Sequence, residues 1–239
     1  MLVDGPGDPA WNMAVDGALL ALAEAPTLRF YGWRPHAVSL GYFQRLADFA
    51  DLPAATPMVR RTTGGGAIHH GDELTFSLAL DAALLPGAIA ASYVLLHDAL
   101  VRALDRLGVR CRRSTEGAMS ARPEDRWCFG HPVQGDLLVD GRKLCGSAQR
   151  RVPGRRPRVL HHGSLVIRRP EHTPFVAAIE DQIEPTDDVR RGLHELVRDE
   201  VANLFDLEST ASQLTAQERA MAARLRDERF GNAAHLQKR

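Results

Sequence analysis

Three cysteines are the residues of this sequence best suited to covalent chemistry. They are Cys111, Cys128 and Cys145, each 17 residues from the next. An odd number with such wide spacing argues against a disulfide framework and against a structural zinc site, which uses close cysteine pairs. Cys111 and Cys145 fall in predicted strands, where a free thiol usually packs as a small apolar side chain. Cys128 falls in a turn-rich segment where nearby cations could lower the pKa of its thiol, so it is the candidate nucleophile.

The basic residues single out one lysine. Of the 30 basic side chains, 28 are arginines and two are lysines, Lys143 and Lys238. Lys238 is the next-to-last residue, so Lys143 is the only lysine inside the chain. Arginine keeps its proton and presents its donors as a planar fork, whereas lysine carries one compact ammonium group. A single internal lysine among so many arginines indicates a task that arginine cannot perform.

A glycine-rich segment, RRTTGGGAIHH at residues 60–70, follows a predicted strand. Three glycines in a row let backbone amide groups approach a ligand closely, because no Cβ stands in the way. The flanking arginines and Thr63 add donors for a carbonyl, a carboxylate or a phosphate. The segment lacks the Gly-Lys-Ser/Thr ending of a nucleotide phosphate-binding loop. Taken alone, a triple glycine is also typical of a plain turn.

A run of arginines follows the lysine, with five of them within residues 150–158: Arg150, Arg151, Arg155, Arg156 and Arg158. Such a run is typical of a solvated loop, and it also fits the docking of an acidic partner protein. Nucleic-acid binding is not expected, because the run has no interleaved aromatic residues and no known binding motif.

Composition limits the remaining classes of function. The 239 residues are 44% hydrophobic, and 30 basic side chains balance 30 acidic ones, with a pI of about 7.2. This length and apolar content can form a substantial core, and the balanced charge excludes a generally basic nucleic-acid coat. No apolar run is long enough to cross a bilayer, and the acidic start predicts no secretory signal. The expected compartment is therefore the cytoplasm.

Hydrophobic periodicity places these segments in an α+β fold. A helix is predicted over residues 92–107, with Ser92 as its N-cap and Gly108 as its stop. The pair Asp140-Gly141 predicts a hairpin turn between strands at 136–139 and 143–149. Other strands are predicted at 28–31, 37–40, 58–60, 74–80 and 162–167. We expect a catalytic domain over residues 1–207 and a helical tail over 208–239 that packs on it or extends from it.

Together these segments resemble the lipoate–protein ligase and octanoyltransferase family of the biotin/lipoate ligase superfamily, over most of residues 10–170. NMAVD at 12–16 is similar to the family's first helix, and LRFYGW at 28–33 with SLGYFQ at 39–44 to its first hairpin. The RRTTGGGAIHH segment is similar to the acyl-binding loop, and DGRKLCGSAQRR at 140–151 to the lysine-bearing hairpin. The implied fold is α+β, a biotin/lipoate protein ligase-like catalytic domain whose mixed, mostly antiparallel sheet is flanked by helices.

The cysteine selects a branch of that family. The Cys-Phe-x-x-Pro segment that begins at Cys128, fifteen residues before the lysine, resembles the cysteine-dependent octanoyltransferases and their amidotransferase relatives. The resemblance implies that Cys128 takes an octanoyl group from acyl carrier protein as a thioester. A lysine of a lipoyl domain or of the glycine cleavage H protein then receives it. Thioester exchange is nearly neutral in energy, so we expect no cofactor, neither nucleotide nor metal.

The resemblance also implies roles for individual residues. Cys128 and Lys143 are the catalytic pair, and Lys143 with glycine-loop amides would stabilise the oxyanion. His131 and His162 are candidate assisting residues. The implied substrate-binding residues are Arg61, Thr63, Gly64, Gly65, Gly66, Ala67, His70, Gly146, Ser147 and Ala148.

The sequence is also compatible with other functions. Within the family, the chain could be an ATP-dependent lipoate–protein ligase, which needs ATP and Mg²⁺, or an octanoyl relay amidotransferase. Outside the enzymes, it could be an acyl- or nucleotide-binding module in which Cys128 is inert. Neither nucleic acid nor a membrane is expected as a partner.

Overall fold

The computed structural model describes residues 1–115 and 126–238. Within these two stretches the strands are β1 (Leu2–Gly7), β2 (Thr27–Trp33), β3 (Ala37–Leu40), β4 (Met58–Arg60), β5 (Ile68–His70), β6 (Glu73–Asp81), β7 (Arg112–Arg113), β8 (Leu137–Val139), β9 (Arg142–Val152) and β10 (Arg158–Val166). The α-helices are α1 (Pro9–Leu22), α2 (Ile89–Leu107), α3 (Asp187–Leu204), α4 (Ala216–Leu225) and α5 (Ala233–Leu236). None of the described helices combines the length and apolarity needed to cross a membrane.

Two sheets are present in the described part of the chain. The larger has seven strands in the order β1-β2-β6-β10-β9-β8-β7, parallel between β1 and β2 and antiparallel elsewhere. The smaller has the order β4-β3-β5, with β3 parallel to β4 and antiparallel to β5. The predicted α+β fold with a mixed, mostly antiparallel sheet is confirmed.

Helices cover both faces of the larger sheet. Successive strand residues point to opposite faces, so Phe30 packs in the core beneath α2 and α3 while Tyr31 packs beneath α1. Leu100 from α2 and Leu19 from α1 contribute to these two cores. The sheet therefore has an α2/α3 face and an α1 face, and the site described below lies at the α1 face.

Local sequence signals fix most of these elements. The turn between β8 and β9 contains Asp140 at φ 48° and Gly141 at φ 76°, the left-handed conformations expected of an Asp-Gly hairpin turn. Helix α2 ends at Gly108 at φ 92°, as predicted. Its predicted start is wrong: the helix begins three residues earlier, with Ala88 as N-cap, and the hydroxyl of Ser92 donates to the Ile89 carbonyl instead. Ala90 and Ala91, which favour helix, extend it on the N-terminal side of Ser92 without a capping side chain.

The C-terminal segment packs against the start of the chain. Helix α4 lies on α1, and a Cβ built on Gly17 would come within 3.0 Å of Leu225. The N-terminal amine of Met1 donates to the Thr210 carbonyl at 2.6 Å. The division into residues 1–207 and 208–239 stays a prediction.

Candidate active site

The ammonium group of Lys143 lies in an almost fully buried position. Lys143 is the second residue of β9, and its side chain is 2% exposed. Its Nζ donates to the carbonyl oxygen of Cys128 at 3.1 Å and lies 3.4 Å from the Cys128 Sγ. The structure therefore brings together the two residues that the sequence predicts to be catalytic, although they are 15 positions apart.

The third neighbour of this ammonium group is Asp136, which sequence reasoning missed. Its Oδ2 lies 2.8 Å from Lys143 Nζ, and its side chain is 4% exposed. The same oxygen accepts a hydrogen bond from the Val133 amide at 2.8 Å, which fixes the carboxylate just before β8. A buried lysine needs a buried counter-charge. The predicted place of Lys143 in a strand was therefore the one sequence signal that could have pointed to a nearby carboxylate such as Asp136.

Burial and charge act in opposite directions on this lysine. Burial by itself lowers the pKa of Lys143, but the Asp136 carboxylate and then Cys128 outweigh burial and raise the pKa above its usual value. Lys143 is therefore held as a cation at neutral pH. A fixed cation beside a thiol suits the stabilisation of negative charge that develops there.

Gly146 provides the space for the lysine side chain. A Cβ built on Gly146 would lie 2.2 Å from Lys143 Cε and 2.6 Å from its Nζ. Any larger residue at this position must therefore displace the ammonium group from Cys128. Gly146 thus shapes the site through its missing side chain.

Backbone pairing holds Cys128 beside the glycine-rich loop. The Cys128 amide donates to the Ala67 carbonyl at 2.8 Å, and the Ala67 amide donates to the Arg126 carbonyl at 2.8 Å. Cys128 is half-buried, and it lines the cavity described below. Ala67 thus positions the cysteine and is not among the described cavity-lining residues.

The other two cysteines are poorly suited to be nucleophiles. Burial, followed by the charge of Asp105, raises the pKa of Cys111 to about 11. Burial also raises the pKa of Cys145, which lies in the core beneath α2 and α3. Both thiols are therefore protonated at neutral pH, whereas the reactive form of a cysteine is the thiolate.

Arg61 shapes the glycine-rich loop through its guanidinium group. Its NH1 donates to the Ser39 carbonyl at 2.9 Å, and its NH2 donates to the carbonyls of Gly64 at 2.9 Å and Gly66 at 2.7 Å. The loop also packs tightly against β3, because a Cβ on Gly41 would lie 1.8 Å from the Gly65 carbonyl oxygen. Although Arg61 reaches the cavity wall, most of its donors are taken by the protein's own carbonyls.

A cavity of about 440 Å³ lies between this loop and the α1 face of the larger sheet. That volume is in the usual range for small-molecule sites. Besides Cys128, Lys143 and Asp136, its wall includes Met13, Tyr31, Trp33, Thr75 and Tyr93. Seven of the predicted substrate-binding residues also line it: Arg61, Gly64, Gly65, His70, Gly146, Ser147 and Ala148. In the described chain, the predicted residues Thr63, Gly66 and Ala67 lie outside this lining.

Thr63 is instead part of a buried polar chain beneath the loop. Its Oγ1 lies 2.7 Å from His162 Nε2, and His162 Nδ1 lies 3.5 Å from the Asp16 carboxylate. Asp16 also accepts hydrogen bonds from Tyr31 at 3.0 Å and Ser77 at 2.7 Å. Burial by itself raises the pKa of Asp16. His162 and Arg29 outweigh burial and bring the pKa below its usual value, so the carboxylate stays ionised. His162 thus links α1 to the glycine-rich loop at the cavity wall.

The two remaining predicted histidines have different surroundings. His70 lines the cavity, with its Nε2 2.7 Å from Ser39 Oγ and its Nδ1 2.7 Å from Glu73, and it stacks on Trp33 at 3.8 Å. His131 is exposed and is not among the described residues of the cavity wall. Its predicted assisting role stays a prediction.

A thiol beside a buried ammonium group, at the wall of a cavity on a mixed sheet, is the arrangement of an acyl-transfer enzyme with a lipoate ligase-like fold. The chain belongs to the family described as the lipoyl protein ligase A/B catalytic domain, which matches residues 8–225.

Within this family, the chain is similar to curated octanoyltransferases. Octanoyltransferase LipM of Kyrpidia tusciae is 34% identical over 236 residues, covering 93% of this chain and 84% of the relative. Those of Moorella thermoacetica and Exiguobacterium sp. are each 41% identical, covering 70% and 74% of this chain. The matched regions span 64% and 68% of those two relatives.

Solved structures share the fold. Lipoate-protein ligase A bound with ATP superposes with a TM-score of 0.77 at 22% identity, covering 98% of this chain and 96% of that one. A bi-partite lipoate protein ligase from Thermoplasma acidophilum gives a TM-score of 0.75 at 20% identity, covering 98% and 94%. At these identities the likeness supports the fold alone.

Proposed function

We propose that this protein is an octanoyltransferase that carries the octanoyl group on Cys128. Octanoyl transfer, an acyltransferase activity of lipoate biosynthesis, is the function that its curated relatives support. The observation that carries the proposal is the 3.4 Å approach of Lys143 Nζ to the Cys128 Sγ at the cavity wall. A cation at this distance can bind the oxygen of a reacting carbonyl as negative charge develops on it.

The first step is acylation of the enzyme. The Cys128 thiolate attacks the thioester carbonyl of an octanoyl acyl carrier protein, and a carbon–sulfur bond forms as the carbonyl oxygen becomes an oxyanion. Lys143 donates to that oxyanion in place of the Cys128 carbonyl that it contacts in the free enzyme. Collapse of the intermediate breaks the bond to the carrier's sulfur, which leaves as a thiolate and takes up a proton.

The second step passes the acyl group to protein. The amine of a lysine on a lipoyl domain or on the glycine cleavage H protein attacks the Cys128 thioester. An amide bond forms, the amine loses a proton and the Cys128 thiol is released. The same contacts of Lys143 serve both tetrahedral intermediates, so one donor supports both half-reactions. No bond to a nucleotide is needed, since a thioester is already activated.

The experiment uses octanoyl acyl carrier protein and an apo lipoyl domain without ATP. We expect octanoyl-lysine on the acceptor by intact mass, and we expect prior alkylation of the enzyme with iodoacetamide to abolish its formation. Transfer that requires ATP and Mg²⁺ would contradict the proposal and favour the ligase alternative. An octanoylated H protein accepted as the only donor would instead favour the relay amidotransferase.

A further inference from the structure

The wall of the cavity opens along strand β9. Lys143 through Gly146 are buried, the next three residues are half-buried, and Arg150 is exposed. Opposite residues on β10 identify the face: Gly146 pairs with Ser164, and Arg150 pairs with Leu160. Paired residues project to the same face of a sheet, so Arg150 and Gly146 share the α1 face on which the cavity lies. Arg150 thus stands at the outer end of the path that begins at Lys143.

Arg150 has unused hydrogen-bonding capacity. Its NH1 donates to the Thr62 carbonyl at 3.2 Å, which is one of the five N–H groups of a guanidinium. A second cation, Arg229, interacts electrostatically with Arg150: burial and then the charge of Arg150 lower the pKa of Arg229. Among the described residues, neither guanidinium forms an ion pair with a carboxylate. Two neighbouring cations without a carboxylate form a setting for an anion.

Two other arginines of this run, Arg151 and Arg156, are held by contacts with the chain itself. Arg151 donates to the carbonyls of Pro86 and Gly87, and Arg156 donates to the Glu24 carbonyl and lies 3.5 Å from Asp81. These contacts tie the arginines to the chain itself. Arg150 is the arginine of the run that lies next to the cavity-lining residue Gln149 and on the α1 face.

The distance along β9 from Gly146 to Arg150 is similar to the length of the arm that carries the thioester in the donor of the proposed reaction. The arm of an acyl carrier protein joins its phosphorus atom to the thioester sulfur through about 13 covalent bonds, slightly more than the 12 of four amino-acid residues, and so spans about 15 Å when extended. Arg150 is four residues beyond Gly146 on the strand, a separation of about 13 Å at the rise of an extended chain. A thioester held beside Lys143 can therefore reach Arg150 with the phosphate of its extended arm.

We propose that Arg150, with Arg229 beside it, binds the phosphate of a pantetheine-type thioester arm and so selects a phosphorylated donor. This inference rests on the proposed function, because it requires a thioester donor at Cys128. The guanidinium of Arg150 is suited to the task, since its planar fork can bind two phosphate oxygens at once while one N–H stays on Thr62.

The experiment compares octanoyl-phosphopantetheine with octanoyl-pantetheine, which lacks the phosphate, in single-turnover acylation of the enzyme. The quantity measured is the ratio of their kcat/KM values. We expect the wild-type ratio to be about 10 or more, and Arg150→Gln to lower it about 10-fold, the usual effect of losing a charge-assisted hydrogen bond. Arg150→Lys should retain part of the preference, and Arg229→Gln should lower it in the same direction.

Arg155→Gln is the matched control, because Arg155 is exposed in the same run beyond the end of β9. It should keep the wild-type ratio, and melting temperatures should show that every variant is folded. An unchanged ratio in Arg150→Gln would overturn the phosphate site while leaving the acyltransferase function standing. Failure of the wild-type enzyme to accept either donor, or octanoyl carrier protein, would instead contradict the proposed function itself.

A second experiment identifies the molecule that supplies the phosphate. Octanoyl carrier protein and octanoyl-coenzyme A both carry the arm and its phosphate, so Arg150→Gln should weaken acylation by both. A wild-type preference for the carrier protein identifies it as the source, and the reverse preference identifies the free coenzyme thioester. Loss of neither activity in Arg150→Gln would overturn the proposal.

Discussion

The carboxylate of Asp136 lies 2.8 Å from the ammonium group of Lys143, and both side chains are almost completely withdrawn from solvent. This pair determines the charge next to Cys128. Asp136 keeps Lys143 protonated in a place where burial alone would favour the neutral amine. The cation that the acyl-transfer proposal requires thus depends on a residue that need not touch the substrate.

We therefore predict that Asp136→Asn destabilises the protein and shifts its pH profile. Removing one partner of a buried ion pair costs about 3–5 kcal/mol in the free energy of unfolding. Because the folded-state pKa of Lys143 is raised, its stabilising contribution is fully present at pH 7 and is lost only as pH rises through that folded-state pKa. Urea unfolding at pH 7 measures the loss.

Without the carboxylate, the pKa of Lys143 should fall, so the alkaline limb of kcat/KM for acylation should move to lower pH. Asp140→Asn is the matched control. Asp140 is an exposed turn residue at φ 48°, a conformation that asparagine also adopts readily. Wild-type stability and an unmoved alkaline limb in Asp136→Asn would refute the role assigned to this pair.

A second prediction concerns Gly146→Ala. The added Cβ would lie 2.2 Å from Lys143 Cε, so the lysine side chain must move away from Cys128. A displacement of about 1 Å in a positioning group lowers rates on the order of 10²-fold. Single-turnover acylation should show that loss. Gly5→Ala serves as control, since a Cβ there meets nothing within 4 Å and acylation should be unaffected.

Lys143→Arg tests the ammonium group itself. The substitution keeps the charge but moves the donors outward on a planar fork. If Lys143 binds the reacting carbonyl oxygen, the rate of acyl transfer should fall on the order of 10²-fold or more. Melting temperature is the folding control. Activity within a few-fold of wild type would show that only positive charge is needed at this position.

Sequence patterns predicted the elements of the site better than the contacts among them. Asp140-Gly141 predicted the hairpin that presents Lys143, because the left-handed turn conformation depends on these two residues alone. Asp136 was missed because its pairing with Lys143 depends on how β8 and β9 are buried, which no local pattern reports. Arg61 is predicted to bind substrate and lines the cavity, but its hydrogen bonds to the carbonyls of Ser39, Gly64 and Gly66 depend on groups that only the folded chain brings near.

Nucleotide dependence gives a fourth prediction. The proposed thioester route needs no ATP, so free lipoate with ATP and Mg²⁺ should yield little or no lipoylation of an acceptor domain. The measurement is intact mass of the acceptor, with octanoyl carrier protein as the positive control for an active enzyme. Rapid nucleotide-dependent lipoylation that survives alkylation of Cys128 would favour the lipoate–protein ligase alternative.

The most direct measurement of the central claim is the intact mass of the enzyme after brief exposure to octanoyl carrier protein without ATP or acceptor. One octanoyl group should appear on the wild-type protein and map to Cys128, and none should appear on Cys128→Ala. Cys111→Ala and Cys145→Ala should still be acylated, because burial keeps both of those thiols protonated. An adduct on Cys111 or Cys145, or full transfer activity in Cys128→Ala, would contradict the account.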